Sequence, residues 1–255
     1  MGVGGLEKRL VALQVKRDAF VQGLVDERRG GSGGGDEAEG RNKTMIEVLL
    51  GLQAKEPYPE DDFVIWKNSL AAGTDTSAGT MEWTLSLLLN NPDHLKKAQA
   101  EIGNCIGQDC LVDESGIADL PYLRCIMNEA LLMYPAGPLL VSHESSQECT
   151  VGSYRVPKGT MLLFESERFE GLEGSRDGFK FVPFGFGRRA CPGESLAMRV
   201  VGLALGSLLQ CFDWERVSKE MVDMTKGPGL TMPKAQPLVA TCRPRPIMVH
   251  SLSQI

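Results

Sequence analysis

The stretch Pro183–Glu194 reads PFGFGRRACPGE and sets one cysteine, Cys191, directly before a long apolar run. Pro192 and Gly193 open that run, ESLAMRVVGLALGSLLQCF, and proline at this place predicts a helix that begins beside the sulfur. The unpaired N–H groups and the positive dipole end of a helix N-terminus favour an anion, and a thiolate in particular. We therefore expect Cys191 to act as an anionic ligand.

The residues around Cys191 suit a flat, acidic ligand that is held through a metal–sulfur bond. Gly187 permits a turn or a close approach of the backbone, and Arg189 can pair with an acidic group of the ligand. Phe184 offers a flat apolar surface, and Gly193 lets a planar ligand lie close to the backbone. Together these residue types predict a metal-containing cofactor at this loop.

Two other interpretations of the loop compete with this one. Cys191 could be a buried cysteine on a purely structural loop, although the neighbouring residues argue against it. The run Gly185–Ala190 also scans as the dinucleotide-binding pattern G-x-G-x-x-A. A dinucleotide helix begins at those glycines, however, and Pro192 would interrupt it, so we reject that interpretation.

The composition excludes several classes of partner. The 255 residues carry a net charge of -6 and thus no broad basic field, so nucleic acid is not expected. The cysteines are odd in number and lack C-x-x-C pairs, which argues against a disulfide framework or a zinc site and favours a reducing compartment. The most apolar stretch, Leu196–Phe212, contains Arg199 and Gln210, so a buried helix is expected there and no membrane span.

The chain is expected to have three regions. Leucines and a phenylalanine at helical spacing predict an amphipathic helix over residues 1–29, and residues 30–43 form a glycine-rich segment that we interpret as a flexible linker. Residues 44–255 hold the remaining elements. They include a long helix from Phe63 to Leu89 and helices that begin at Asn91 and Asp119, each start marked by a nearby proline.

The fold class expected from these patterns is mainly α with a small β portion. Alternating residues over Cys149–Phe164 predict a β-hairpin that turns at Pro157, Lys158 and Gly159. One or two further short strands are expected near the C-terminus.

The cysteine loop resembles the haem-ligand motif F-x-x-G-x-R-x-C-x-G of the cytochrome P-450 haem-thiolate monooxygenases, and Phe184, Gly187, Arg189, Cys191 and Gly193 fill all five fixed positions. The resemblance implies haem b as the cofactor, with the Cys191 thiolate as the axial ligand whose electron donation favours O–O cleavage. It also implies NADPH as the electron source, used through a flavoprotein reductase.

The segment AAGTDTS at residues 71–77 resembles the oxygen-activation motif A-G-x-[DE]-T-[TS] of the same family. The resemblance implies that Gly73 leaves room for dioxygen and that Asp75 and Thr76 are catalytic residues which transfer protons. In the alternative interpretation, Asp75, Thr76 and Ser77 merely cap a helix that starts after them.

A third segment matches the family only in part. The family places E-x-x-R on a helix and a P-E-R-F-like motif after it, and here Glu129 is present but Leu132 stands at the arginine position. SERF supplies Arg168, so the resemblance implies that Glu129 and Arg168 support the side of the haem. The family also has a further stretch between GTMLLF and SERF, whereas the two nearly touch in this chain.

The resemblance covers only the C-terminal half of the family fold, so we expect a truncated cytochrome P-450-like fold. YPAGPLLVSHESSQ and GLTMPKAQPL resemble plant members of the isoflavone and phenylpropanoid hydroxylase group. The implied reaction is O2- and NADPH-dependent hydroxylation of a small apolar or aromatic plant metabolite. The alternative is a truncated, non-catalytic family member with weak or no haem binding. The family's membrane anchor has no match here, so a cytoplasmic location is the default expectation.

Overall fold

The computed structural model describes residues 3–31, 44, 47, 48, 51, 60–108, 110–163 and 183–253. The chain divides into two units, Met1–Ala72 and Gly73–Ile255. Helix α1 (Val3–Gly31) belongs to the first unit, and helix α2 (Glu60–Asn90) begins in the first unit and ends in the second. All of the predicted site residues except Arg168 lie in the described part of the second unit.

The described part of the second unit is mainly helical, as predicted. After α2 come α3 (Pro92–Cys105), α4 (Pro121–Met133), α5 (Glu194–Cys211) and the short α6 (Val249–Leu252). Single 3-10 turns occupy Gly116–Asp119, Gly187–Arg189 and Pro246–Met248. Within the residues that the structure covers, no helix has the length and apolar character needed to cross a membrane.

The strands among the described residues form three two-stranded antiparallel ladders. They are β1 (His143–Glu144) with β4 (Met161–Leu162), β2 (Cys149–Val151) with β3 (Tyr154–Val156), and β5 (Phe212–Arg216) with β6 (Ala240–Pro244). Strand β6 fulfils the expectation of a short C-terminal strand. Strand β5 was not predicted, although its residues FDWER alternate between apolar and charged, because no glycine or proline separates them from the helix before them.

The predicted hairpin over Cys149–Phe164 is wrong in its turn. The chain reverses at Gly152, whose φ is +60°, so that Val151 pairs with Tyr154. Residues 157–159 also turn, but they lead into β4, which pairs with β1 instead of β3. Both turns contain glycine, and only the distant partner β1 decides which of them closes a hairpin.

The hydrophobic core of the second unit lies where α2, α3, α4 and α5 meet. Ile102, Leu123, Leu205 and Leu209 are at most 1% exposed. Helix α5 approaches closely because two of its core positions are glycine: a Cβ at Gly206 would lie 3.3 Å from Val112 Cγ1 and one at Gly202 would lie 3.2 Å from Ile117 Cγ2. Even alanine at these positions would require the Val112 or Ile117 side chain to shift by a few tenths of an ångström.

Two helices begin with capping contacts that differ from those predicted. Pro92 is the first residue of α3 as expected, but the Asn91 side chain donates backwards to Leu87 O at 2.8 Å and does not cap α3. Helix α4 begins at Pro121. The N–H groups of Tyr122 and Leu123, in its first turn, donate to the two Glu101 carboxylate oxygens at 2.8 and 2.9 Å. A carboxylate from α3 thus caps α4 and complements its dipole.

In the first unit, the predicted N-terminal helix is present as α1 and continues to Gly31. The residues that it buries, Val21 and Val25, stand one position after Phe20 and Leu24, which are also apolar and at helical spacing but are exposed. Both sets are apolar at helical spacing, so periodicity alone does not decide between them. The rest of the glycine-rich segment predicted as a linker lies outside the described residues.

Candidate functional site

The loop that carries Cys191 is a defined turn before α5. The Cys191 N–H donates to Phe184 O at 2.8 Å, and the Ala190 N–H donates to Gly187 O at 3.2 Å. Residues 187–189 form the 3-10 turn that the bond from Ala190 to Gly187 closes. Gly193 is the N-cap residue of α5. The sulfur therefore lies immediately before the first turn of a helix, as the sequence predicted.

Two glycines of the loop are required by its backbone conformation. Gly185 and Gly187 have φ of +73° and +69°, in the left-handed region that L side chains rarely adopt. The turn at Gly187 is the one that the sequence predicted, and its role in cofactor binding stays a prediction. Gly185 was considered only as part of the rejected dinucleotide pattern, yet it makes the same kind of turn.

The surroundings of the sulfur fit a flat ligand that carries acidic groups. Cys191 and Arg189 are exposed, and Phe184 is half-buried. A Cβ at Gly193 would lie 3.8 Å from the Cys191 sulfur, so the lack of a side chain there keeps the space beside the sulfur open. An accessible sulfur, a cation and a helix N-terminus are thus combined within ten residues.

Asp75 and Thr76 lie inside α2, not before its first turn. The alternative interpretation, in which these residues cap a helix that starts after them, is therefore wrong. Asp75 is exposed and Thr76 is half-buried. The Asp75 carboxylate accepts a hydrogen bond of 3.3 Å from the Thr231 hydroxyl, which links α2 to the segment GLTMPKAQ.

The segment Thr231–Lys234 is held against α2 by Trp83, a residue that no sequence motif indicates. Trp83 is 1% exposed, and its Nε1 donates to Met232 O at 2.8 Å. Its ring stacks on Tyr134 with a centroid distance of 4.0 Å and an angle of 8°. The Lys234 Nζ lies 4.6 Å from the centre of the Trp83 ring, within the range of a cation–π contact.

The same segment also reaches the loop that follows α4. The Met232 N–H donates to Ala136 O at 3.1 Å, and Leu140 lies close enough to Gly185 that a Cβ there would meet its Cδ1 at 3.9 Å. Leu140 itself has a φ of +52°. A chain of contacts thus joins Asp75, the segment around Met232, the loop after α4 and the cysteine loop.

Comparison with known proteins identifies the arrangement. The sequence profile described as "Cytochrome P450" matches residues 6–165 and 162–240, which together make up most of the chain. The chain belongs to the cytochrome P450 family. Its two matched pieces meet at residues 162–165, where the sequence predicted that a stretch of the family is missing.

The relatives of this cytochrome P450 chain include plant enzymes. It is 44% identical to (+)-piperitol/(+)-sesamin synthase of Sesamum radiatum, covering 100% of this chain and 53% of that protein. It is 44% identical to isoflavone 3'-hydroxylase of Medicago truncatula, covering 95% of this chain and 51% of the relative. A solved zebrafish cytochrome P450 with progesterone is 27% identical, with a TM-score of 0.75, and covers 93% of this chain and 58% of that one.

The match confirms a cytochrome P450 fold of which only part is present. The chain spans about half the length of the curated relatives that it matches. The alignment with the Sesamum radiatum enzyme is 276 positions long and exceeds the 255 residues of this chain, so the relative has residues inside the match that are missing here. This agrees with the shortened approach to SERF that the sequence predicted.

The predicted support of the haem side by Glu129 and Arg168 stays a prediction. Glu129 is exposed on α4, and Leu132, which stands at the family's arginine position, is 43% exposed. Arg168 lies outside the described residues. An exposed Glu129 carboxylate is hydrated, so the loss of an arginine partner at position 132 costs less than the loss of a buried ion pair would.

Lys234 is a buried cation of this cytochrome P450 chain, 7% exposed. Its ammonium group donates to Asp223 O and lies over Trp83. Burial lowers the pKa of Lys234 below its ordinary 10.5, and the negative charges of Glu82 and Asp223 counteract part of that effect. Between the lowered pKa and 10.5 the unfolded chain binds more protons than the folded chain, so this group makes the fold more stable as pH rises through that window.

Replacing Lys234 by methionine is expected to abolish this increase of the free energy of unfolding with pH, because the variant has no ammonium to desolvate. The measurement is the urea midpoint of unfolding from about pH 8 upward, in the wild type and in Lys234→Met. The exposed Lys219 provides the matched control, and Lys219→Met should keep the wild-type pH dependence. Identical pH profiles for the wild type and Lys234→Met would contradict the assignment.

Proposed function

We propose that this chain carries the haem-binding part of a haem-thiolate monooxygenase, with Cys191 as the ligand of haem iron. The observation that carries the proposal is the exposed Cys191 sulfur immediately before α5, on a loop shaped by Gly187 and fastened through the Cys191–Phe184 hydrogen bond. Membership of the cytochrome P450 family supports it independently. When bound, haem with a thiolate ligand supplies the oxidising chemistry that hydroxylation requires.

The residues of the loop would bind and orient the cofactor. Arg189, exposed on the 3-10 turn, would pair with a propionate, and Phe184 would lie against the macrocycle. Gly193 would let the ring approach the first turn of α5, since a side chain there would lie beside the sulfur. The positive end of α5 would stabilise the thiolate.

On α2, Asp75 and Thr76 would hold and transfer protons. Asp75 is in contact with the solvent and is oriented by the Thr231 hydroxyl, which makes it suitable for exchanging a proton with water. Thr76 is half-buried and lies next to Asp75 in the same helix. Gly73 precedes them, and no described atom lies within 4 Å of the position that a Cβ would take there.

The proposed substrate is a small apolar or aromatic plant secondary metabolite. The support is the similarity to plant enzymes such as isoflavone 3'-hydroxylase and (+)-piperitol/(+)-sesamin synthase. The proposed electron source is NADPH through a flavoprotein reductase, as the family resemblance implies. All of these belong to the whole family fold, of which this chain spans about half.

A second candidate function is favoured by that same coverage: a non-catalytic family member that binds haem weakly or not at all. The chain lacks residues within its match to the Sesamum radiatum enzyme, and Leu132 stands at the family's arginine position. In this alternative the cysteine loop would keep the backbone hydrogen bonds that join Cys191 to Phe184 and Ala190 to Gly187.

A spectral titration separates the two candidates. The purified chain is mixed with haemin, reduced and exposed to carbon monoxide, and a thiolate-bound haem is expected to give a red-shifted Soret band. The variant Cys191→Ser should lose that band, because it removes the thiolate and leaves the loop backbone unchanged. Cys242→Ser is the matched control, since Cys242 is also an exposed thiol, and it should behave as the wild type.

Two results would reject the proposal. One is the absence of the red-shifted band in the wild type, which would favour the non-catalytic alternative. The other is a band that Cys191→Ser retains, because the ligand would then be a different group. Circular dichroism of each variant verifies that the helices are intact.

A further inference from the structure

The first turns of α3 and α4 bring an imidazole and a phenol together, away from the residues assigned to the candidate haem site. The Nδ1 atom of His94 lies 2.6 Å from the Tyr122 hydroxyl oxygen, within hydrogen-bond distance. His94 is exposed and Tyr122 is half-buried, so small molecules can reach the pair from the solvent. A side-chain oxygen within hydrogen-bond reach of a base is the arrangement from which nucleophilic catalysis begins.

The backbones that carry the two groups are both fixed by other contacts. The Tyr122 N–H donates to the Glu101 carboxylate of α3 at 2.8 Å, and the Tyr122 ring packs against the hydrophobic core. His94 is followed by Leu95, which is 6% exposed and belongs to that core. The phenol and the imidazole are therefore held in register before any reaction, which lowers the entropic cost of bringing them together.

A lysine of α3 lies over the same phenol. Lys97 stands one turn after His94 on that helix, and its Nζ lies 4.2 Å from the centre of the Tyr122 ring. A phenol that gives up its proton shares the negative charge between its oxygen and its ring. An ammonium group over the ring stabilises this charge as it develops. One helix thus supplies both a base and a cation to Tyr122.

The other described tyrosines provide the comparison. Tyr134 is stacked on Trp83, and Lys226 lies 5.7 Å from its ring centre, but no described histidine is hydrogen-bonded to its hydroxyl. Tyr154 is 77% exposed, and its hydroxyl forms no hydrogen bond with any residue that the structure describes. Among the described tyrosines, Tyr122 alone combines a base with a cation.

We propose that Tyr122 is a nucleophile that accepts an acyl group from activated esters and thioesters, with His94 as its general base. In the tautomer that carries its hydrogen on Nε2, the Tyr122 hydroxyl donates to Nδ1. The phenolic oxygen forms a bond to the acyl carbon while its proton passes to Nδ1. The alcohol or thiol part leaves with the electrons of the broken bond and takes up that proton, and the product is an O-acyltyrosine. No electron transfer and no haem are involved, so this reaction holds or fails independently of the monooxygenase proposal.

Acetylation by p-nitrophenyl acetate tests the proposal. The purified chain is treated with the ester at neutral pH, and peptide mass spectrometry follows the acetylation of each tyrosine over time. We expect Tyr122 to react at least about tenfold faster than Tyr154, since general base catalysis contributes about a hundredfold or more in enzymes. Accessibility alone predicts the opposite order, because Tyr154 is the more exposed of the two.

Variants of α3 assign the roles of the base and the cation. His94→Asn keeps a hydrogen-bond acceptor near the position of Nδ1 but cannot take a proton, so acetylation of Tyr122 should slow at least about tenfold. Lys97→Met should slow it about two- to fivefold, the effect of an exposed cation–π contact. The charge-matched control is Lys96→Met, because the exposed Lys96 is turned about 100° around the helix, and it should react as the wild type.

Three results would overturn the assignment. Equal rates for Tyr122 and Tyr154 in the wild type would show that the phenol is not activated. An unchanged rate at Tyr122 in His94→Asn would show that the imidazole is not its base, and equal rates in the two lysine variants would remove the role of Lys97. Circular dichroism verifies that each variant is folded, which is expected because all three replaced side chains are exposed.

Discussion

Replacing Trp83 by alanine is expected to lower the free energy of unfolding by about 3–5 kcal/mol, the usual cost of truncating a buried tryptophan. Trp83 is 1% exposed and combines three contacts: its stacking on Tyr134, its hydrogen bond to Met232 O and the Lys234 ammonium above its ring. The variant loses the packing volume and also leaves the Met232 carbonyl and the Lys234 ammonium without this partner. Urea unfolding followed by far-ultraviolet circular dichroism measures the effect.

A second variant separates the hydrogen bond from the packing. Trp83→Phe keeps an aromatic ring for Tyr134 and Lys234 but removes the indole N–H, so a smaller loss of about 1–3 kcal/mol is expected. Tyr154→Ala is the control, because Tyr154 is 77% exposed and its truncation should change stability by less than about 0.5 kcal/mol. Equal midpoints for Trp83→Ala and the wild type would show that Trp83 does not hold this part of the fold.

The consequence of Trp83 for the candidate site is local. Met232 follows Thr231, the residue that donates to Asp75, so loss of the Trp83 bond frees the segment that orients this carboxylate. Hydrogen exchange at the Met232 N–H, which donates to Ala136 O in the folded chain, should accelerate in Trp83→Ala. The same amide should stay protected in Tyr154→Ala.

The elements that the sequence predicted correctly are those with local signals. Pro92, Pro121 and Pro192 mark helix starts, and α3, α4 and α5 begin at or within two residues of them. The turn at Gly187 was predicted because glycine permits the positive φ that this residue adopts, whereas the equal turn at Gly185 was not predicted. Both kinds of signal act within a few residues, so one sequence is enough to predict their effect.

The features that the sequence did not predict depend on distant partners. Trp83 and Met232 are separated by 149 residues, and no local pattern indicates that an indole would meet that carbonyl. The hairpin turn was misplaced because β4 pairs with β1, which lies before β2 in the chain. Helix α5 is a third case: a buried helix was predicted over Leu196–Phe212, but Leu196, Val200 and Leu203 are exposed, so the prediction holds for only one side of the helix.

Gln210 is the second residue whose replacement is expected to have a large effect on stability. Its hydrogen bonds explain why a polar residue stands in α5, the most apolar of the described helices. Its side chain is 2% exposed, and its Oε1 accepts from the Val112 N–H at 2.9 Å. Its Nε2 donates to Cys110 O at 2.9 Å and to Gly107 O at 3.3 Å. One glutamine therefore satisfies the backbone of the turn that connects α3 to the rest of the core.

Gln210→Leu is expected to lower the free energy of unfolding by about 2–4 kcal/mol, although leucine is apolar and of similar size. The reason is that the Val112 N–H would stay buried without an acceptor, and an unsatisfied buried group costs about 1–3 kcal/mol. The two carbonyls, which are nearer the surface, add a smaller loss. Urea unfolding measures the effect, with Gln236→Leu as the control, because Gln236 is exposed and the same substitution there should be nearly neutral. A stabilised Gln210→Leu would mean that apolar packing at this position outweighs the three hydrogen bonds, and the turn at 107–112 would then be held by other contacts.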